Sequence, residues 1–83
     1  MHESLIAERL GKRIAEMRVN RGMNKVQFAR QLGITRQKLS ELERGSTSVG
    51  MSYYCRALNA LGCELEVVPR RLPTLEELSE VFA

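Results

Sequence analysis

The sequence predicts an all-α domain of four helices, followed by one short β-strand and a brief fifth helix. Three observations predict it. Apolar residues recur at spacings of three and four along four successive stretches. Those stretches are bounded by cap-type residues or by glycines. Only one segment, from Cys63 to Val68, alternates apolar and polar residues with a period of two. The chain has 83 residues and no Trp, so it makes one small domain with a mainly aliphatic core. A domain of this size buries only about 60% of its unfolded surface, which favours a partner chain.

The first helix is marked by Ile6, Leu10, Ile14 and Met17, with Ser4 as a candidate N-cap and Arg21-Gly22 as its end. The second begins at Asn24, where Gln27 three residues on completes a capping-box pattern. Phe28, Ala29 and Leu32 form its inner face, and it stops at Gly33. Thr35 opens the third helix, Leu39 and Leu42 face inward, and Arg44-Gly45 closes it. After a loop at 45–48, the fourth helix carries Met51, Tyr54, Leu58 and Leu61 as its stripe and ends at Gly62.

The segment CELEVV then reads as a strand. A lone strand leaves its backbone donors and acceptors without partners. The same strand of a second copy, antiparallel across a two-fold axis, supplies them. Glu64, Leu65, Glu66, Val67 and Val68 are therefore the expected dimer interface. Arg70-Arg71-Leu72-Pro73 is a linker, and Thr74-Leu75-Glu76-Glu77 is a T-x-x-E capping box opening a short acidic helix. The expected organisation is a helical domain over 1–62, a dimerisation strand over 63–69 and a tail over 70–83.

Charge is unevenly spread. Residues 1–45 hold ten Lys/Arg against five Glu, a balance of +5, and residues 46–83 hold three Arg against five Glu, a balance of −2. This asymmetry points to an anionic partner for the first half. Arg9, Lys12, Arg13 and Arg18 on the first helix are expected in solvent, with Glu8 and Lys12 paired at i,i+4. Cys55 and Cys63, eight apart, are expected as small core residues in a reduced, cytoplasmic protein. With His2 the only histidine, four zinc ligands are hard to assemble, and no metal or other cofactor is expected. No run approaches the ~20 apolar residues of a membrane span. Carboxylate pairs, a Cys–His pairing and a phosphate loop are all missing, which argues against an enzyme.

The stretch QFARQLGITRQKLSELERG combines two unusual features. A Gly interrupts a helical pattern at a cost of about 1 kcal/mol relative to Ala. The helix after it carries Arg36 and Lys38 in its first turn and Glu41 and Glu43 in its last, opposed to the helix dipole. Two short helices joined by a Gly-containing turn form the helix-turn-helix pattern. Gly33 sits where the chain turns, Ala29 is small where the helices cross, and Phe28, Leu32, Ile34, Leu39 and Leu42 fill the wedge.

From about Leu10 to Leu65 the chain resembles the Cro/repressor-type (XRE) helix-turn-helix family, on LGKRIAEMRVNRGMNKVQFARQLGITRQKLSELERG and the later ALNALG. It is most similar to the HipB-like antitoxins, because CELEVV follows the fourth helix directly. The resemblance implies strand-mediated dimers that bind operator DNA, and a toxin partner, a HipA-like kinase. Two departures stand out. Asn24 and Lys25 replace the usual Thr or Ser and Gln, and Glu41 stands where many relatives carry an amide or a basic base reader.

Cations at the start of the third helix make sense if DNA lies there. Arg grips guanine O6 and N7, and Gln grips adenine, each in bidentate fashion. Arg36, Gln37, Ser40 and Glu41 are the expected base contacts, with Glu41 able to accept from cytosine N4. Lys25, Thr35, Lys38, Arg44 and Ser46 are the expected phosphate contacts. The leading expectation is a dimeric repressor on a palindromic operator, acting as the antitoxin of a toxin–antitoxin pair. A standalone repressor and a helical protein–protein adaptor are the alternatives.

Overall fold

The computed structural model describes residues 3–69 of the chain. The linker and acidic helix expected over 70–83 lie outside them, as does His2. The described residues form four helices: α1 (Glu3–Asn20), α2 (Lys25–Leu32), α3 (Arg36–Glu43) and α4 (Met51–Ala60). Helix α3 packs against both α1 and α2, and α2 also meets α4.

Local chemistry sets the helix boundaries. Asn24 Oδ1 accepts from the Gln27 amide at 2.8 Å, and the Asn24 amide donates back to Gln27 Oε1 at 3.0 Å. Both halves of the expected capping box are thus formed. Thr35 Oγ1 accepts from the Lys38 amide at 3.0 Å and caps α3. Gly33 ends α2 with φ 71°, a left-handed conformation that other residues adopt only with strain. There the Gly33 amide donates to Arg30 O at 3.1 Å, and the Ile34 amide donates to Ala29 O at 3.0 Å. These bonds satisfy carbonyls that the end of α2 would otherwise leave open. Ser4, expected as an N-cap, lies inside α1, which already includes Glu3.

The core is Ile14, Phe28, Ala29, Leu32, Leu39, Leu42, Val49, Tyr54, Ala57 and Leu61. Phe28, Leu39 and Leu42 are wholly enclosed, which locks α2 and α3 together at a fixed angle. Truncating Phe28 to Ala would cost about 3–5 kcal/mol. Leu10, Met17 and Leu58 of the expected stripes are partly buried against this core, and two stripe residues face solvent: Ile6 is 60% exposed and Met51 is 58% exposed. Each lies at the first end of its own helix, and together they line an apolar groove with Leu10, Val49 and Tyr54. Cys55 is exposed on α4 rather than buried, while Cys63 is half-buried against the core, and neither forms a disulfide.

Three arginines bond within the fold, one of them buried. Arg18, expected in solvent, is buried between α1 and α3. Its Nε donates to Glu43 Oε2 at 2.7 Å, its Nη2 to Glu43 Oε1 at 3.3 Å, and its Nη1 to Met23 O at 2.7 Å. A buried guanidinium is tolerable only with such a partner set. Arg21 Nη2 donates to Leu61 O at 2.7 Å, closing the end of α4, and Arg56 Nη1 donates to Leu32 O at 3.1 Å, closing α2. The ion pair on the exposed face of α1 joins Arg13 and Glu16, not Glu8 and Lys12.

Gly11 explains how α1 comes so close to α3. A Cβ there would stand 2.5 Å from Leu42 O and 2.6 Å from the Gly45 amide nitrogen. Gly45 meets α1 from the other side: it has φ 75°, and a Cβ on it would collide with the backbone of Ala7 and Glu8. Two glycines facing each other allow backbone-to-backbone contact.

The strand expected over Cys63–Val68 is not formed: residues 63–69 have no regular secondary structure. No strand occurs among the described residues, so this segment has no ladder partner among them. Val67 is 99% exposed, and Leu65 and Val68 also face solvent.

Candidate nucleic-acid interface

The third helix presents one face to the core and one to solvent. Residues follow one another at about 100° around a helix. Leu39, Leu42 and Glu43 therefore share the inner face, and Gln37, Glu41 and Arg44 the outer one. Arg36, Gln37 and Arg44 are exposed, and Glu41 is partly so. None of their side chains has a hydrogen-bond or ion-pair partner among the described residues. Four polar side chains thus stand free on a helix whose axis is held by a buried wedge.

Ser40 lies toward one flank of this face, and Lys25 from the start of α2 reaches it: Lys25 Nζ donates to Ser40 Oγ at 3.3 Å. An expected phosphate contact and an expected base contact are thereby brought together. Lys38 lies toward the opposite flank. Its Nζ sits 5.2 Å from the centroid of the Tyr53 ring on α4. The Arg56 guanidinium, also on α4, lies 5.3 Å from the same centroid. Such contacts contribute about 0.5–1 kcal/mol each at exposed sites. Lys38, Tyr53 and Arg56 line a shallow depression with Gly33, Ile34 and Thr35.

The loop after α3 is braced from within. The Ser46 amide donates to Glu41 O at 3.1 Å, and the Tyr54 hydroxyl donates to Ser46 O at 2.8 Å. Burial pushes the Tyr54 phenol up from its usual pKa. The Ser46 and Ser48 hydroxyls are 2.8 Å apart. Ser46 is partly exposed, and its hydroxyl is shared with its neighbour rather than open. Thr35 Oγ1 accepts from the Lys38 amide, which leaves the Thr35 hydroxyl proton available to donate.

Of the expected base contacts, Gln37 and Glu41 thus lie on the outer face of α3, Ser40 lies on the flank that Lys25 reaches, and Arg36 is exposed in the first turn, while Lys38 lies on the opposite flank. Arg44 stands one turn beyond Glu41 on the same face. Tyr53 and Arg56 belong to this side through Lys38, and the sequence pattern did not single them out. Their signal was a Tyr and an Arg three residues apart, which share a face of α4.

A helix held by its neighbours, with free polar side chains along its outer face, has the form of an element that enters a DNA groove. Among the described residues, no helix is long and apolar enough to cross a membrane. A family model described as a helix-turn-helix domain matches residues 9–72, which include α2, the Gly33 turn and α3. No curated protein and no solved structure matches the chain at a significant level. The fold, the capped turn and the family match agree: this chain belongs to the helix-turn-helix domain family, whose mark is a DNA-binding helix pair.

Proposed function

We propose that the chain is a sequence-specific transcriptional repressor that acts as a homodimer on a palindromic operator in double-stranded DNA. The observation that carries this reading is the outer face of α3. Gln37, Glu41 and Arg44 stand there, with Arg36 exposed in the first turn of the same helix, and none has a side-chain partner among the described residues; Phe28, Leu39 and Leu42 fix the helix. Arg36 and Gln37 read bases, Ser40 and Glu41 extend the readout one turn on, and Lys25, Thr35, Lys38, Arg44 and Ser46 bind phosphates.

Dimerisation uses residues 64–68. Leu65, Val67 and Val68 are exposed and the segment has no ladder partner among the described residues, which supports pairing with a second copy. Antiparallel pairing of Glu64, Leu65, Glu66, Val67 and Val68 would satisfy their backbone groups and cover their apolar side chains. Two recognition helices would then meet half-sites about 34–36 Å apart, or a multiple of that spacing.

The resemblance to HipB-type antitoxins supports a second role: neutralising a toxin, a HipA-like kinase, while repressing the shared operon. The test is a pull-down of the tagged protein from its own host, with mass spectrometry and sequencing of the bound DNA. A stoichiometric protein together with DNA from upstream of the gene supports the antitoxin reading. DNA alone leaves a standalone repressor. A protein without DNA refutes the repressor reading and favours an adaptor.

A further inference from the structure

We propose that Lys38, Tyr53 and Arg56 form a second phosphate-binding ridge, which grips the DNA strand across the groove from the one met by Lys25. The proposal rests on the DNA-binding reading above.

Three observations carry it. The first is an uncompensated convergence of charge. Lys38 Nζ and the Arg56 guanidinium both lie within 5.3 Å of the Tyr53 ring centroid. Neither cation has a carboxylate partner among the described residues. Two like charges beside one ring repel, and an anion between them would relieve that repulsion. Arg56 uses one N–H on Leu32 O and keeps its other donors for a ligand.

The second is position. Ser40 and Lys38 lie on opposite flanks of the outer face of α3. Lys25 is bonded to Ser40 on one flank, and Tyr53 holds Lys38 on the other. The major groove is about 12 Å wide and is bordered by two phosphate backbones. A helix of about 10–12 Å diameter fills it. Basic groups on both flanks of that helix then meet both backbones.

The third is preparation. Tyr53 is half-buried, so part of the ring that lies beside both cations is packed against the fold. Its hydroxyl makes no hydrogen bond among the described residues and is free to donate to a phosphate oxygen. Cations ordered before binding lose less conformational freedom when the anion arrives.

The experiment is fluorescence anisotropy on a labelled mixed-sequence duplex of about 30 base pairs across a salt series. Removing one cation–phosphate interaction lowers the slope of log affinity against log salt by about 0.9. Arg56→Gln and Lys38→Gln should each lower the slope by about that amount, and Arg56→Lys should restore it. Arg13→Gln, a charge loss on α1 beside Glu16, should leave the slope unchanged. If Arg56 serves only to close α2, Arg56→Gln will lower the melting temperature and leave the slope intact. Should Arg56→Gln fail to fold, Tyr53→Leu decides the matter: it removes the ring beside both cations and should weaken binding at low salt, whereas unchanged affinity would overturn the ridge. A slope for a folded Arg56→Gln equal to that of Arg13→Gln would overturn the ridge and leave the DNA-binding reading standing. A wild-type protein with no affinity for the duplex at low salt would overturn both.

Discussion

Replacing Glu43 by Ala should remove a large share of the domain's stability. The carboxylate sits at the end of α3 with its side chain 6% exposed, and its partner Arg18 is 10% exposed. Removing it takes away two of the three hydrogen bonds that hold the guanidinium and leaves a positive charge in the interior. Breaking a buried pair from one side costs about 3–5 kcal/mol. A chain of this length has a total stability of about 4–12 kcal/mol. The same calculation applied to the surface pair gives a different answer. Arg13 and Glu16 have side chains 67% and 47% exposed, and losing that pair costs about 0–1 kcal/mol. Urea unfolding followed by far-ultraviolet circular dichroism separates the two cases. Glu43→Ala should lose at least about 3 kcal/mol and Glu16→Ala less than about 1. The double variant Arg18→Met/Glu43→Leu replaces both charges with apolar groups and should recover most of the loss. Its affinity for DNA should survive as well, because Glu43 faces inward and acts by holding α3 against α1. A loss below about 1 kcal/mol for Glu43→Ala, matching Glu16→Ala, would refute the reasoning.

Other expectations concern packing, ionisation and recognition. Gly11→Ala improves helix propensity by about 1 kcal/mol yet should destabilise the domain by about 1–3 kcal/mol, because its Cβ would meet backbone atoms of Leu42 and Gly45. A higher urea midpoint for this variant would show that α1 does not approach α3 so closely. Tyr54 has a phenol whose pKa burial raises, so the unfolded chain loses its proton first as pH climbs through about 10. The stability owed to this group is complete below that pH and declines above it. Tyr54→Phe should therefore show a shallower alkaline loss between about pH 9 and 11, and parallel curves would contradict the assignment. Arg36→Ala should weaken binding to a preferred site by about 1–3 kcal/mol and relax base preference at one position. A uniform loss over all duplex sequences would make Arg36 a phosphate contact instead.

The elements with local signals were legible in the sequence. Asn24 with Gln27, Thr35 with the Lys38 amide, and Gly33 at positive φ are features set within a few residues, and all three form as the pattern implies. Phe28, Ala29, Leu32, Leu39 and Leu42 were recognisable as the wedge because their spacing matches two facing helices. Arg18 was not, since its burial depends on a carboxylate twenty-five positions away, and no helix period distinguishes it from its solvated neighbours. Gly11 is similar: its role follows from a backbone that approaches from α3, not from its place in α1. Ile6 and Met51 had the right period but lie at helix ends, where the stripe runs past the core into a groove. The segment 63–68 had a strand pattern, but ladder pairing is a relation between segments, and its chain offers no second one among the described residues.

For the candidate site, residue type and helix position sufficed to place Arg36, Gln37 and Arg44 on an open face, because the outer side of α3 follows from its buried side. The Lys25–Ser40 contact and the Tyr53 platform required the relative placement of three helices, which pattern alone does not give. Part of the positive charge also has a different use from the one its sequence position suggests. Arg18 and Arg21 count toward the basic half of the chain, but the fold uses them on Glu43, Met23 O and Leu61 O.

Selection of bound duplexes from a random-sequence library tests the central claim most directly. Wild-type protein should enrich one palindromic motif, with half-sites one helical turn or a multiple apart, and Arg36→Ala should lose preference at one base pair of each half-site. Enrichment of no motif, with equal binding to every duplex, would contradict the assignment of the outer face of α3 as a reader of bases.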